Sequence, residues 1–285
     1  MAVTMEMVKE LRAKTGAGVL DCKKALQQSD GDMQQAVDFL RKKGLAAAAK
    51  KSGRATTEGL VCIVDSAEKG QITMLSLLCE TDFVARTDEF KALANEMVQV
   101  FDQEVPPSAG EAVGPEMVEK YTPKLTEEIA RIGENIQLGD YCKLVRKENG
   151  HFFHYIHHTG KIGVVLEMVS EADVSELAEL GKNLCLHIAA FSPEFVDRDR
   201  VPGETIEKEK EIYRDQMKES GKPENVVEKI IEGKVSKFFE ERCLMEQKYA
   251  LDQGQNTTIS QMVKETEKNT GKPLHLSHFC RIEIS

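Results

Sequence analysis

The chain lacks the compact signatures of several familiar catalytic sites. It has no glycine-rich phosphate loop ending in Lys-Ser or Lys-Thr, no HExxH pair and no nucleophile elbow. The sequence therefore supplies no reaction, and a binding function leads over an enzymatic one. No apolar run approaches the roughly 20 residues that cross a bilayer, so no membrane partner is expected. The opening residues (MAVTMEMVKELRAKTG) are amphipathic and lack the apolar block of a signal peptide, which points to a cytoplasmic location.

Cysteines are few and scattered. The 7 of them, Cys22, Cys62, Cys79, Cys142, Cys185, Cys243 and Cys280, are odd in number and form no CxxC pair. That argues against a zinc ribbon and a disulfide framework, and reduced, mostly buried thiols are expected. His151, His154, His157 and His158 crowd one predicted strand. Alternation divides them between two faces, with no carboxylate or cysteine at ligand spacing. No metal and no cofactor is predicted. Acids outnumber bases, 48 to 38, and the formal net charge of −10 disfavours direct nucleic-acid binding. The single basic stretch, Arg41 to Arg54, reads as a helix end followed by a linker.

What is present is a chain of 285 residues, enough for two or more domains. Residues 1–54 read as three short helices and a linker. Met5, Val8 and Leu11 make one apolar stripe; Val19, Cys22, Ala25 and Leu26 share a second face; Met33, Ala36, Val37 and Leu40 follow at helical spacing. Gly44 is placed as the cap of the third helix. Gly16-Ala17-Gly18 is not a phosphate loop, because the segment before it is helical rather than a strand.

From Glu58 the period changes. Leu60 to Val64 and Gln71 to Leu78 read as strands, and helices follow at 88–102 and 116–132. Asp140 to Arg146, His151 to His157 and Lys161 to Val169 resume the strand pattern, and a helix covers 173–190. The fold class is α+β: two loosely repeating halves with antiparallel sheets, at 55–138 and 139–202. Residues 203–247 are dense in charge and broken by Ser220-Gly221-Lys222-Pro223, which predicts a projecting helical hairpin. Residues 248–285 carry a last helix near 258–268 and a strand, His275 to Ile284, that returns to a sheet formed much earlier.

The most informative segment joins the second strand to its helix. Glu80-Thr81-Asp82-Phe83-Val84-Ala85-Arg86 sets an acid beside a large aromatic at the tip of that connection. Phe83 has no periodic place in either flanking element. It is either a plug in the local core, where most aromatics go, or a probe for another protein.

Several segments together resemble the elongation factor Ts family: Leu11 to Leu26 (LRAKTGAGVLDCKKAL), Glu80 to Arg86 (ETDFVAR), Arg131 to Ile136 (RIGENI), Tyr155 to Gly163 (YIHHTGKIG) and His187 to Phe195 (HIAAFSPEF). Their order and spacing agree over the whole chain. The resemblance implies a ubiquitin-associated-like three-helix module, a two-part core and a helical hairpin. It implies one partner, the GTPase elongation factor Tu, and an exchange function during translation elongation. Thr81, Asp82, Phe83 and Val84 would then enter the partner near its nucleotide-bound magnesium. Val19, Leu20 and Lys23 on the first module, with Ile132, Gly133 and His157, would be further contacts. The rival reading is an adaptor that uses its ubiquitin-associated-like module and has no exchange activity. A homodimer, or a complex with two copies of each chain, is compatible with the hairpin and the core sheet, and the sequence does not choose between these and a monomer.

Overall fold

The computed structural model describes residues 3–217, 223–249 and 256–285. Helices α1 (Met5–Thr15), α2 (Val19–Gln28) and α3 (Met33–Lys51) form the first module. Thr4 and Asp32 cap α1 and α3 by accepting hydrogen bonds from the Met7 and Gln35 amides. Val8, Leu11, Cys22, Ala25, Leu26 and Ala36 are buried together, as the helical spacing predicts. Two expected members are not core: Met5 is 62% exposed and Val19 43% exposed. Each sits at the first position of its helix, before the chain has closed over that face. Gly44 does not end α3. The Ala-rich run beyond it carries the helix to Lys51, and Gly44 is buried where α3 crosses a later helix.

Strands β1 (Glu58–Ser66) and β2 (Gln71–Cys79) form a hairpin. A one-turn helix α4 (Asp82–Ala85) and the long α5 (Asp88–Glu104) follow. An edge strand β3 (Ser108–Ala112), not predicted, precedes α6 (Pro115–Ile132) and β4 (Ile136–Val145). The sheet order is β1-β2-β4-β3. Thus β4, grouped in the sequence with the second half, belongs to the first sheet. Its Tyr141 packs edge-on against Phe101 of α5, at 5.5 Å between ring centroids.

The second sheet has order β5-β6-β7, from β5 (Gly150–Ile156), β6 (Ile162–Ser170) and β7 (Leu274–Glu283). Helices α7 (Val174–Phe191) and α10 (Ile259–Thr270) cover it, and α8 (Gly203–Met217) and α9 (Glu224–Arg242) form the hairpin between them. The turn predicted at Ser220 to Pro223 falls mostly outside the described residues. β7 pairs with β6 along its length, the predicted return of the chain terminus. Both halves therefore run hairpin, helix, excursion, helix, third strand. The excursion is β3 in one half and the α8–α9 hairpin in the other.

The central strands β2 and β6 are buried almost throughout, because helices cover one face and the opposite sheet the other. Val61, Ile72, Met74 and Cys142 meet Val165, Cys280 and Ile282 between the sheets. A Cβ added at Gly163 would fall 2.4 Å from a Val61 methyl, so the sheets approach through that glycine. The expectation that all cysteines are reduced fails for one pair. Cys142 of β4 and Cys280 of β7 form a disulfide between the sheets. Their separation of 138 residues hides the pair from any local pattern. The other five cysteines are free and buried.

At the end of α5 remote from α4, Asp102 is buried and accepts hydrogen bonds from the Ser66 and Thr73 hydroxyls at 2.9 and 3.0 Å. Lys69 approaches the same carboxylate, and the Lys143 ammonium donates to the Asp102 and Val105 carbonyls. Burial opposes ionisation of Asp102, but these donors outweigh it and hold the carboxyl below the usual carboxylate range.

Among the described residues no helix is long and apolar enough to cross a membrane, and no group of three or more His, Cys, Asp or Glu side chains is placed to hold a metal ion.

Candidate functional site

The strand-to-helix connection after β2 is a built structure rather than a loose loop. Thr81 caps α4, accepting from the Val84 amide, and Thr87 caps α5, accepting from the Phe90 amide. Asp82 and Asp88 follow as the first residues of those helices, where an acid suits the helix dipole. Two Thr-Asp caps six positions apart thus turn the chain sharply twice. The single helical turn directs Ala85 and Val84 inward onto the first core. It sends Phe83 out, 80% exposed. Asp82 pairs with Arg86 one turn later at 2.9 Å across exposed surface, a contact of small energetic weight.

The tip is clasped by the connection between α6 and β4. The Glu134 carboxylate accepts from the Glu80 amide at 3.1 Å, from the Thr81 amide at 3.0 Å and from the Thr81 hydroxyl at 2.6 Å. The Glu80 carboxylate in turn accepts from the Asn135 amide at 2.7 Å. Asn135 then Arg54 hold the Glu80 carboxyl below its ordinary range. Beneath the clasp, the Cys79 thiol donates to the Thr81 carbonyl at 3.2 Å. Burial, followed by the negative charge of Glu134, pushes that thiol up to about 12, so it stays protonated and inert.

The linker from the first module joins the same clasp. The Lys51 ammonium donates to the Gly133 carbonyl at 2.6 Å, and the Asn135 side-chain amide donates to the Arg54 carbonyl at 2.9 Å. Gly133 ends α6 in a left-handed conformation with φ of 94°, which accounts for the glycine. Ile132, just before it, is half-buried against the core. A Cβ on Gly16 would lie 2.7 Å from the Arg131 side chain, so the turn that opens α2 abuts the end of α6. Residues 131–135 are therefore a hub between the module and the tip.

On α2, Leu20 is 73% exposed and Lys23 lies on the same outward face. His157 begins the turn after β5, is half-buried, and its Nδ1 lies 3.0 Å from the Thr159 hydroxyl. That turn rests on β1: the Val61 amide donates to the Gly160 carbonyl, and Lys161 pairs with Glu58. Glu58 is the register partner of Cys79, which leads into the tip. The His157 turn, the tip and the hub thus share one end of the first sheet, with the α2 face joined to it through Arg131. Glu134, Glu80 and Arg54 were not singled out by sequence reasoning. The match over Arg131 to Ile136 was the signal that could have led to Glu134.

Comparison with known proteins gives a consistent result. The profile of the family described as Elongation factor TS matches residues 80–285. A protein named Elongation factor Ts from Desulfovibrio desulfuricans is 44% identical, over 100% of this chain and 99% of its own length. Proteins of the same name from Clostridium botulinum (strain Eklund 17B) and Aquifex aeolicus are 41% and 39% identical, covering 99% and 100% of this chain and 92% and 98% of their own.

Proposed function

The chain belongs to the elongation factor Ts family, and from that premise we propose that it is a guanine-nucleotide exchange factor for elongation factor Tu. It binds the GDP form, displaces the magnesium and promotes GDP release and GTP loading. The observation that carries the reading is Phe83: a large aromatic, four-fifths exposed, on a tip whose backbone is held from two sides. Exposing such a side chain forgoes about 2 kcal/mol or more of burial, which a partner's pocket recovers.

Magnesium requires strict octahedral geometry between phosphates and protein oxygens. A wedge formed by Thr81, Asp82, Phe83 and Val84 that shifts those groups slightly removes the cation clamp. The phosphates then repel the acidic groups around them, and the helix N-terminus holding them is left with a weaker grip. Val19, Leu20 and Lys23 dock the first module on the partner's nucleotide-binding domain. Ile132, Gly133 and His157 extend the contact along the shared end of the sheet. No covalent bond is made or broken by this chain. Exchange is reciprocal: tight binding to the empty GTPase requires weakened nucleotide affinity, at about 1.4 kcal/mol for each tenfold.

The test is release of a fluorescent GDP analogue from elongation factor Tu, with this protein at catalytic amounts. Many-fold faster release is expected. Unchanged release from a cognate, folded partner would overturn the exchange function and leave the adaptor reading of the first module.

A further inference from the structure

We infer that Glu134 is a positioning residue for exchange, setting the direction in which Asp82 and Phe83 leave the sheet; this rests on the exchange reading. The tip is also held by the Asn135 amide on the Glu80 carboxylate and by the Cys79 thiol on the Thr81 carbonyl, but neither of these sets the Thr81 hydroxyl. Helix α4 is one turn long, far below the length at which a helix stands by itself. The Asp82–Arg86 pair is exposed and weak. Val84 and Ala85 anchor it in the core. Against this, the Glu134 carboxylate gathers the two successive amides of Glu80 and Thr81 and the Thr81 hydroxyl. Hydrogen bonds to a carboxylate are the stronger class, and these three tie the 79–80 peptide, the 80–81 peptide and the Thr81 side chain to one group.

The Thr81 hydroxyl occupies a second role at the same atom. It donates to Glu134 while accepting from the Val84 amide. Its rotor is thus set by Glu134, and the cap of α4 is set with it. The order of causes runs from Glu134 to Thr81 to the turn of α4 to the exit of Phe83. Glu134 itself is carried on the hub at the end of α6, beside the turn that opens α2. The direction of the tip is therefore referred to the same support as the Leu20 face of the module.

A residue that aims the tip without docking the complex separates two kinetic quantities. Docking rests on the module, the 132–133 turn and the His157 turn, none of which needs Glu134. Displacement needs Phe83 in place before contact. Glu134→Ala is therefore expected to lower the maximal rate of GDP release by about tenfold to a hundredfold, with the half-saturating concentration changed by less than about threefold. Glu134→Gln keeps one acceptor for the two amides and offers its own N–H to the Thr81 oxygen, so it restores most of the rate. Glu134→Asp, shorter by one methylene, does not reach and behaves like Glu134→Ala; it stands in if the alanine variant does not fold. The measurement is GDP release at saturating and sub-saturating exchange factor, with melting temperature alongside. Overturning results are an unchanged maximal rate in the Ala or Asp variant, or a Gln variant as slow as Ala. A wild-type protein that fails to accelerate release would instead overturn the exchange reading itself.

Discussion

Gly44 of α3 faces Ala130 of α6 so closely that a Cβ built on the glycine would lie 3.0 Å from the alanine's. This contact seats the first module on the core, with Gly16 against Arg131 beside it. Gly44→Leu is expected to prise α3 from α6 while leaving the cluster around Leu11, Cys22 and Leu26 intact. Limited proteolysis should then show faster cleavage between residues 45 and 57. Cleavage at the wild-type rate would show that the seat does not depend on this approach.

Phe83 should be nearly silent in stability and loud in exchange. Its exposure predicts that Phe83→Ala changes unfolding free energy by about 0.5 kcal/mol or less, against about 3–5 kcal/mol for a core phenylalanine. If it is an interface anchor worth about 2 kcal/mol, nucleotide release slows roughly thirtyfold. Melting and release measured on the same sample separate the two; a collapse in melting temperature would sink the probe assignment.

Asp102 predicts a pH signature. Its folded carboxyl titrates below the unfolded value of about 3.9. A depressed folded pKa contributes stability that is complete above the unfolded pKa and is lost as pH falls through the folded one. Asp102→Asn should therefore cost about 1–3 kcal/mol at neutral pH, and the gap to wild type should narrow below pH about 4. Urea unfolding at pH 7 and pH 3 checks this; a gap that widens in acid would contradict it.

The bond between Cys142 and Cys280 predicts five titratable thiols in denaturant without reductant, and all seven after reduction. Tying two sheets across a long stretch of chain stabilises by about 3–5 kcal/mol in the chain-entropy view. A thiol reductant should lower the melting temperature of the wild type and leave Cys142→Ser at one value with or without it. Seven free thiols in the untreated protein would remove the bond.

Much of this architecture was legible because it follows from local period. The 3.6-residue spacing of Val8 and Leu11, and of Cys22, Ala25 and Leu26, marks the module. The apolar run from Gln71 to Leu78 marks a strand covered on both faces. Pairing was not legible: whether β4 joins β2 or β6 depends on register between distant segments, which no window of sequence contains. β3 is composed of Ser, Ala, Gly and Glu, with no strand pattern of its own, and pairs with β4. Gly44 misled because a glycine late in a helix signals a stop or a close neighbour alike. At the candidate site the Thr81–Phe83 tip drew notice by composition. The Glu134 clasp spans more than fifty residues and becomes visible only when both connections meet.

The two repeats differ most in length between their two helices, with a smaller difference at the turn into the first of them, residues 80–87 against 171–173. Between α5 and α6 the chain spends residues 105–114; between α7 and α10, at the corresponding point, it spends residues 192–258. Lengthening a connection whose ends stay fixed costs little in closure entropy, about 2 kcal/mol here. The growth point lies past the end of the helix, away from the turn that enters it. In the first repeat that turn is the Thr81–Phe83 tip. A grafted or shortened arm at the growth point should leave the working turn undisturbed, so the scaffold separates the part free to vary from the part that must hold still.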